Sequence, residues 1–167
     1  MNLNSIDPIH ALSSLIRFCK EMKLTISVAE SATGGRLSSA LTALPGSSLV
    51  FKEGIVCYSP ESKKERLLIK PEVMKQYGLV SQEITLLMAQ QVRKALQVDI
   101  GIATTGNAGP EANDVLASVG QTYIAISTDK KQFVFPKKYE GSRNFIQNAM
   151  TNDAIRTLYC VLEEGAV

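Results

Sequence analysis

Short apolar, β-branched runs alternate with stretches of helical periodicity along this chain, and that alternation restricts it to an α/β architecture. The runs Leu24-Thr25-Ile26-Ser27-Val28-Ala29, Leu49 to Tyr58 and Asp99 to Thr105 read as strands, the last apolar enough to be buried on both faces. Two further strands, 119–128 and 132–139, flank the polar turn Asp129-Lys130-Lys131, so they form an antiparallel hairpin. Between them lie helices. Asp7-Pro8 caps the first, along which Ile9, Leu12, Leu15, Ile16, Cys19 and Met22 recur at helical spacing. Others are expected over 34–44, 60–68, Pro71 to Gly78, Ser81 to Leu96 and 142–162. The pattern predicts a three-layer α/β/α sandwich on a mixed, mostly parallel sheet with one antiparallel hairpin. With 167 residues and no linker or repeat, 1–167 is read as a single domain.

Lys and Arg number 18 against 16 Asp and Glu, a formal net charge of +2, and no dense basic block occurs. Neither nucleic acid nor a membrane is therefore an expected partner, although a small anionic ligand is compatible with the balance. No apolar run approaches the roughly 20 residues needed to span a bilayer, and the polar start Met1-Asn2-Leu3-Asn4-Ser5 lacks the regions of a signal peptide. A cytoplasmic location is expected. Cys19, Cys57 and Cys160, odd in number and set in apolar contexts, read as buried reduced thiols. His10 is the only histidine, so neither a transition-metal site nor a Ser-His-Asp triad has its ligands or base. It falls on the first helix, facing solvent or a partner.

Three loops that leave strands carry unusual residues: Glu30-Ser31-Ala32-Thr33-Gly34-Gly35, Tyr58-Ser59-Pro60-Glu61-Ser62-Lys63 and Thr105-Gly106-Asn107-Ala108-Gly109-Pro110. In an α/β sheet such loops converge beyond the strand ends. Ser31 stands where a strand hands over to a helix, whose unpaired N–H groups favour an anion. As a nucleophile it needs a base, and Lys63, Lys64, Glu30 and a tyrosine are the candidates. A lysine serves only if desolvation or a nearby cation leaves it partly neutral. Blander readings stand beside these. Ser31 or Thr33 suits a helix cap, Lys63 and Lys64 suit a solvated helix face among Glu61, Glu65 and Arg66, and Tyr58 suits an ordinary strand end. The glycines of 34–35 and 106–109 signal close backbone approach without completing a phosphate-binding fingerprint.

Several segments in register resemble the CinA C-terminal domain family, also called the PncC-type nicotinamide mononucleotide deamidases. They are Ala29-Glu30-Ser31-Ala32-Thr33-Gly34-Gly35, Pro45-Gly46-Ser47-Ser48, Gly54-Ile55-Val56-Cys57-Tyr58-Ser59 with Lys63, Gly78-Leu79-Val80-Ser81, Thr105-Gly106-Asn107-Ala108-Gly109-Pro110 and Val119-Gly120. The resemblance covers nearly the whole chain and implies a stand-alone version of the domain. It implies Ser31 as nucleophile on a carboxamide, Lys63 as general base and Tyr58 as the group that orients or relays the proton. Nicotinate mononucleotide and ammonia would be the products, with no metal or organic cofactor. Backbone N–H groups around Thr33, Gly34 and Gly35 are candidates for the oxyanion. Glu30, Thr33, Gly34, Gly35, Thr105, Gly106 and Gly109 would line the substrate pocket, with Arg143 as a forked donor to the phosphate.

The chain also departs from the family pattern. Ala32, Pro60 and Asn107 stand where cysteine, asparagine and isoleucine are usual, and Gly141-Ser142-Arg143 replaces Gly-Asp-Arg. A glycine-rich stretch after Gly109-Pro110 is replaced by Glu111-Ala112-Asn113-Asp114-Val115-Leu116-Ala117-Ser118, whose two carboxylates would oppose a phosphate. The main expectation is thus a Ser-Lys amidohydrolase of a nucleotide carboxamide. The alternative is a non-catalytic nucleotide-binding or regulatory module. A part in competence or DNA damage, which the family name suggests, finds no support in the charge distribution. Apolar positions on the first and last helices leave room for a homo-oligomer.

Overall fold

In the computed structural model, residues 6–112, 114 and 116–165 are described. Residues 1–5, Asn113, Val115, Ala166 and Val167 lie outside them, so the expectations that rest on those positions are not addressed by the fold. Seven helices and five strands form among the described residues: α1 (Pro8–Met22), β1 (Ile26–Glu30), α2 (Arg36–Thr42), α3 (Ser47–Val50), β2 (Phe51–Val56), α4 (Pro60–Leu67), α5 (Pro71–Tyr77), α6 (Gln82–Ala95), β3 (Ile100–Gly106), β4 (Gln121–Ser127), β5 (Gln132–Lys138) and α7 (Arg143–Glu163). The sheet order is β2-β1-β3-β4-β5. Strands β2, β1 and β3 are mutually parallel, and β4 is antiparallel to both β3 and β5, so it alone runs against the others.

Two kinds of side chain separate the faces. Ile26, Val28, Ile100, Ile102, Ile124 and Ile126 point into a core shared with α1, α2 and α7. Their neighbours Ala29, Ala103 and Ala125 point the other way, toward Ile84, Met88, Ala89 and Val92 of α6. Small residues on that face let α6 approach closely: a Cβ at Gly101 would sit 2.1 Å from the carbonyl oxygen of Ala89. Helix α7 contacts both α1 and α2 on one side, and α4, α5 and α6 contact one another on the opposite side. This is the three-layer α/β/α sandwich expected from the alternation.

Local chemistry explains most helix ends. The Asp7 carboxylate accepts from His10 N–H at the start of α1, with Pro8 in its first turn. Ser59, Ser81 and Ser142 cap α4, α6 and α7 through their hydroxyls. Three details differ from the sequence reading. Ile9 and Met22 fall on the outer side of α1, 69% and 58% exposed. The run from Leu49 begins as the helical turn α3 before entering β2, because Gly46 at φ 90° reverses the chain and the turn drives Val50 into the core while Leu49 stays exposed. The first hairpin strand starts at Gln121 and not at 119, since Gly120 N–H is spent on Asn107 C=O. All three cysteines are buried free thiols, and His10 is exposed. No helix among the described residues is long and apolar enough to cross a membrane.

Candidate active site

The chain leaves β1 through α2 on one face to reach β2, then returns through α6 on the other face to β3. The sheet therefore has a switch point at the carboxyl end of β1, where an open α/β sheet holds its ligand crevice. The loops after β1, β2 and β3 meet there around a cleft of about 550 Å3, counting the part open to solvent. Ser31 and Ala32, Tyr58 and Lys63, and Gly106, Asn107 and Ala108 come from those three loops, with Arg143 reaching in from α7.

Ser31 and Lys63 meet in this cleft. Lys63 Nζ lies 3.1 Å from Ser31 Oγ and 2.7 Å from the carbonyl oxygen of Cys57. The two are 32 residues apart in the chain. Lys63 sits one helical turn before Leu67 on the inner face of α4, and both are 1% exposed, whereas Lys64, Glu65 and Arg66 face solvent. The solvated-face reading thus holds for its neighbours and fails for Lys63. Burial lowers the Lys63 amine from 10.5 to about 8, which leaves roughly a tenth of it neutral at pH 7. At 3.1 Å the ammonium donates to Oγ, and the neutral amine accepts the hydroxyl proton.

The cap of α2 is neither Ser31 nor Thr33. It is Glu30, fully buried at the end of β1. Its Oε2 accepts from Thr33 Oγ1 at 2.6 Å, Gly35 N–H at 2.9 Å and Leu37 N–H at 3.1 Å; its Oε1 accepts from Ser38 N–H at 2.8 Å and Ser38 Oγ at 2.6 Å. A buried carboxylate is tolerable only when its lone pairs are taken, and a helix entrance supplies the donors. The expectation that Glu30 and Thr33 line the pocket is corrected here. Both are 0% exposed, and the Thr33 hydroxyl is also within 2.8 Å of Thr104 Oγ1. Gly34 and Gly35 lie at φ 59° and 94°, a shape the turn needs, but they do not line the cleft. Their N–H groups are committed to Ser31 C=O and Glu30, which removes them from the expected oxyanion donors. Thr105 is also withdrawn: it is buried, its hydroxyl 2.6 Å from Thr85 Oγ1.

Around the mouth the geometry is looser. Tyr58 is 56% exposed, and its hydroxyl accepts from Arg143 Nη2 at 2.7 Å, with no bond to Ser31 or Lys63. Arg143 Nη1 donates to Gly109 C=O at 2.7 Å, so Gly109 enters the site as an acceptor behind the arginine and does not line it. The sequence reading left out Leu79 and Val80, which close one wall, and Glu111 and Asp114, which line it from the altered loop. Asp114 is turned to the backbone: it accepts from Val80 N–H at 2.8 Å and Leu116 N–H at 3.0 Å. Asn107 pins the same loop by donating to Ala117 C=O at 2.7 Å. Asp114 and Ala117 of the loop that departs from the family pattern are thus fastened, the one to the backbone of Val80 and Leu116 and the other to Asn107. Glu111 remains exposed on the cleft wall.

Fold and crevice together define a three-layer α/β domain with an open cleft at the carboxyl edge of its sheet. The chain belongs to the CinA C-terminal domain family, whose model matches residues 10–162. It is 43% identical over 144 residues to a competence-damage inducible protein of Clostridioides difficile, covering 86% of this chain and 34% of that protein. A relative of the same description from Acetivibrio thermocellus is 45% identical over 125 residues, covering 75% of this chain and 30% of the relative. The chain thus spans about a third of the length of these relatives (34% and 30%). Among solved structures, a competence/damage inducible protein from Agrobacterium tumefaciens matches with TM-score 0.89 and 28% identity, over 94% of this chain and 96% of that one. A competence or damage-inducible protein from Enterobacter asburiae matches with TM-score 0.90 and 26% identity, over 95% and 99% of the two chains.

Proposed function

We propose that this chain is an amidohydrolase that converts nicotinamide mononucleotide to nicotinate mononucleotide and ammonia through Ser31 and Lys63. The observation that carries the reading is the buried Lys63 amine, lowered to about 8 and 3.1 Å from Ser31 Oγ. Oγ forms a bond to the carboxamide carbon, its proton passes to Lys63 Nζ, and the carbonyl pair moves onto oxygen. Collapse expels ammonia, which takes the proton from Lys63. Water then enters by the same base and releases the acid. The Cys57 carbonyl accepts from Nζ in both protonation states, so the amine keeps its place through the cycle. Membership in the family and the match of the motifs support the substrate assignment. Arg143 is the proposed phosphate donor, which requires the phosphate to displace Tyr58 or Gly109.

Purified protein incubated with nicotinamide mononucleotide should release ammonia, and Ser31→Ala and Lys63→Ala should each abolish the release. Undiminished activity in either variant would overturn the dyad. A second reading, a nucleotide-binding module without turnover, is favoured by one observation. The Arg143 guanidinium is already engaged and Glu111 stands on the same wall. It is distinguished by thermal stabilisation with the nucleotide in the absence of ammonia release.

A further inference from the structure

The charged residues that line the cleft are Lys63, Glu111, Asp114 and Arg143, and they differ in how far the protein itself has satisfied them. Lys63 is buried beside Ser31, and Asp114, 8% exposed, accepts from the N–H groups of Val80 and Leu116. Arg143 donates only to neutral acceptors, the Gly109 carbonyl and the Tyr58 hydroxyl. Glu111 is exposed and has neither a hydrogen bond nor an ion pair among the described residues. A cation and an anion thus share the cleft, each without a counter-ion, although Arg143 is bonded to the residue just two before Glu111.

Opposite charges that line one cleft and are not spent on each other complement a ligand that carries both signs at separate points. In nicotinamide mononucleotide the phosphate is one such point, and the pyridinium ring, whose nitrogen bears a fixed positive charge, is the other. Ribose keeps them apart. The carboxamide sits on that ring, so a carboxamide carbon at Ser31 Oγ brings the ring charge into the same cleft. Lys63, which takes the Ser31 proton during the reaction, repels the ring, and Arg143 is matched to the phosphate. Of the carboxylates near Ser31, Glu30 is fully buried among its donors and Asp114 is held by backbone N–H groups, which leaves Glu111 to meet the ring. The apolar wall of Leu79 and Val80 suits the ring's flat face.

We propose that Glu111 is a specificity residue, selecting carboxamides borne on a positively charged pyridinium ring over those on an uncharged ring of the same outline. The inference rests on the nicotinamide mononucleotide reading, in which Arg143 meets the phosphate. A carboxylate that opposes a phosphate placed beside it favours the ring there instead, so Glu111 and Arg143 together set which end of the nucleotide lies toward Ser31. Because the cleft is open and Glu111 exposed, solvent screens the attraction and limits it to roughly fivefold to tenfold in affinity.

The experiment measures equilibrium binding by calorimetry in the Ser31→Ala background, which lacks the nucleophile. Its probes are nicotinamide mononucleotide and the reduced form of that nucleotide, which keeps the phosphate and the carboxamide on an uncharged ring. Glu111→Gln, which keeps the shape and removes the charge, should weaken the oxidised nucleotide by about fivefold or more and leave the reduced one within about twofold. Glu111→Asp, which keeps the charge, should stay within about threefold of its parent for both. Equal weakening of the two nucleotides by Glu111→Gln would assign the residue to the shape of its loop, and an unchanged affinity for the oxidised one would make it a solvated surface charge. Either result overturns the proposal. Ammonia release by the protein with Ser31 intact is followed in parallel. Binding without release overturns the hydrolysis and leaves the ratio of affinities to decide Glu111. Failure to bind either nucleotide overturns the substrate and the role of Glu111 together.

Discussion

The floor of the cleft and its rim are built on opposite principles. On the floor, Ser31 follows a strand buried along its whole length, its loop is drawn in by five bonds to the Glu30 carboxylate, and Lys63 is 1% exposed. On the rim, Tyr58 is 56% exposed and is held by a single arginine from a distant helix. Desolvated bonds with no competing water fix the reactive atoms, whereas exposed bonds exchange readily with solvent or with an incoming anion. The difference teaches where order and freedom reside: the floor is held rigidly by buried bonds, and under the proposed function it is the rim that would exchange its bonds for a ligand.

Removing the floor's reactive groups should have the largest effect. Ser31→Ala or Lys63→Ala is expected to lower ammonia release by at least about a thousandfold. The comparison would collapse if a rim substitution were equally damaging. Next comes the support beneath the floor. Glu30→Gln replaces an acceptor of five donors by a group with its own N–H facing them, and should cost about 3 kcal/mol, read as a fall in Tm of roughly 6–12 °C.

Titration of Lys63 gives the third test. Under the proposed mechanism, in which the neutral amine is the base, activity should rise about tenfold per pH unit toward pH 8 and then level off. Stability has the same sign. Burial lowers the folded value from 10.5 to about 8, so between these pH values the unfolded chain holds the proton that the folded chain has released. Stability from this group is therefore greatest above 10.5 and falls as pH drops through 8, by about 3 kcal/mol relative to Lys63→Met, measurable by denaturant unfolding at the two ends. At the rim, Arg143→Ala should raise KM by about tenfold with little change in kcat. Tyr58→Phe is the mildest, at about threefold in either constant and about 0.5 kcal/mol in stability, because its hydroxyl meets only the exposed guanidinium. A larger loss of kcat in Tyr58→Phe would move the tyrosine from the rim to the floor and sharpen the division.

Much of the fold was legible because its signals are local. Asp7-Pro8, Ser59-Pro60, Ser81 and Ser142 start their helices where their hydroxyl or carboxylate meets the third residue on, and Gly78 ends α5 at φ 79°. The short helix α3 was hidden, since Leu49 and Val50 are as apolar as a strand start and only the packing of Val50 into the core decides between them. In the site, Ser31, Tyr58 and Lys63 were legible as residue types in two of the three loops, and Gly106 and Arg143 do reach the cleft. Glu30, Thr33 and Thr105 were misplaced for one reason. Polarity near a candidate site reads as ligand contact in one dimension, while a buried polar group is more often satisfied by its own protein.

By itself the sequence determined the alternation of strands and helices, the absence of a histidine base, and the loops in which chemistry would lie, because these depend on residue type and near-neighbour spacing. Only the tertiary structure decided that one lysine of a charged run is buried against Ser31, that Glu30 caps α2, and that Gln147 of α7 reaches the Ala32 carbonyl. Those contacts join residues far apart in the chain, and desolvation, which lowers the Lys63 amine and makes each buried bond costly to lose, exists only once the layers have closed around them.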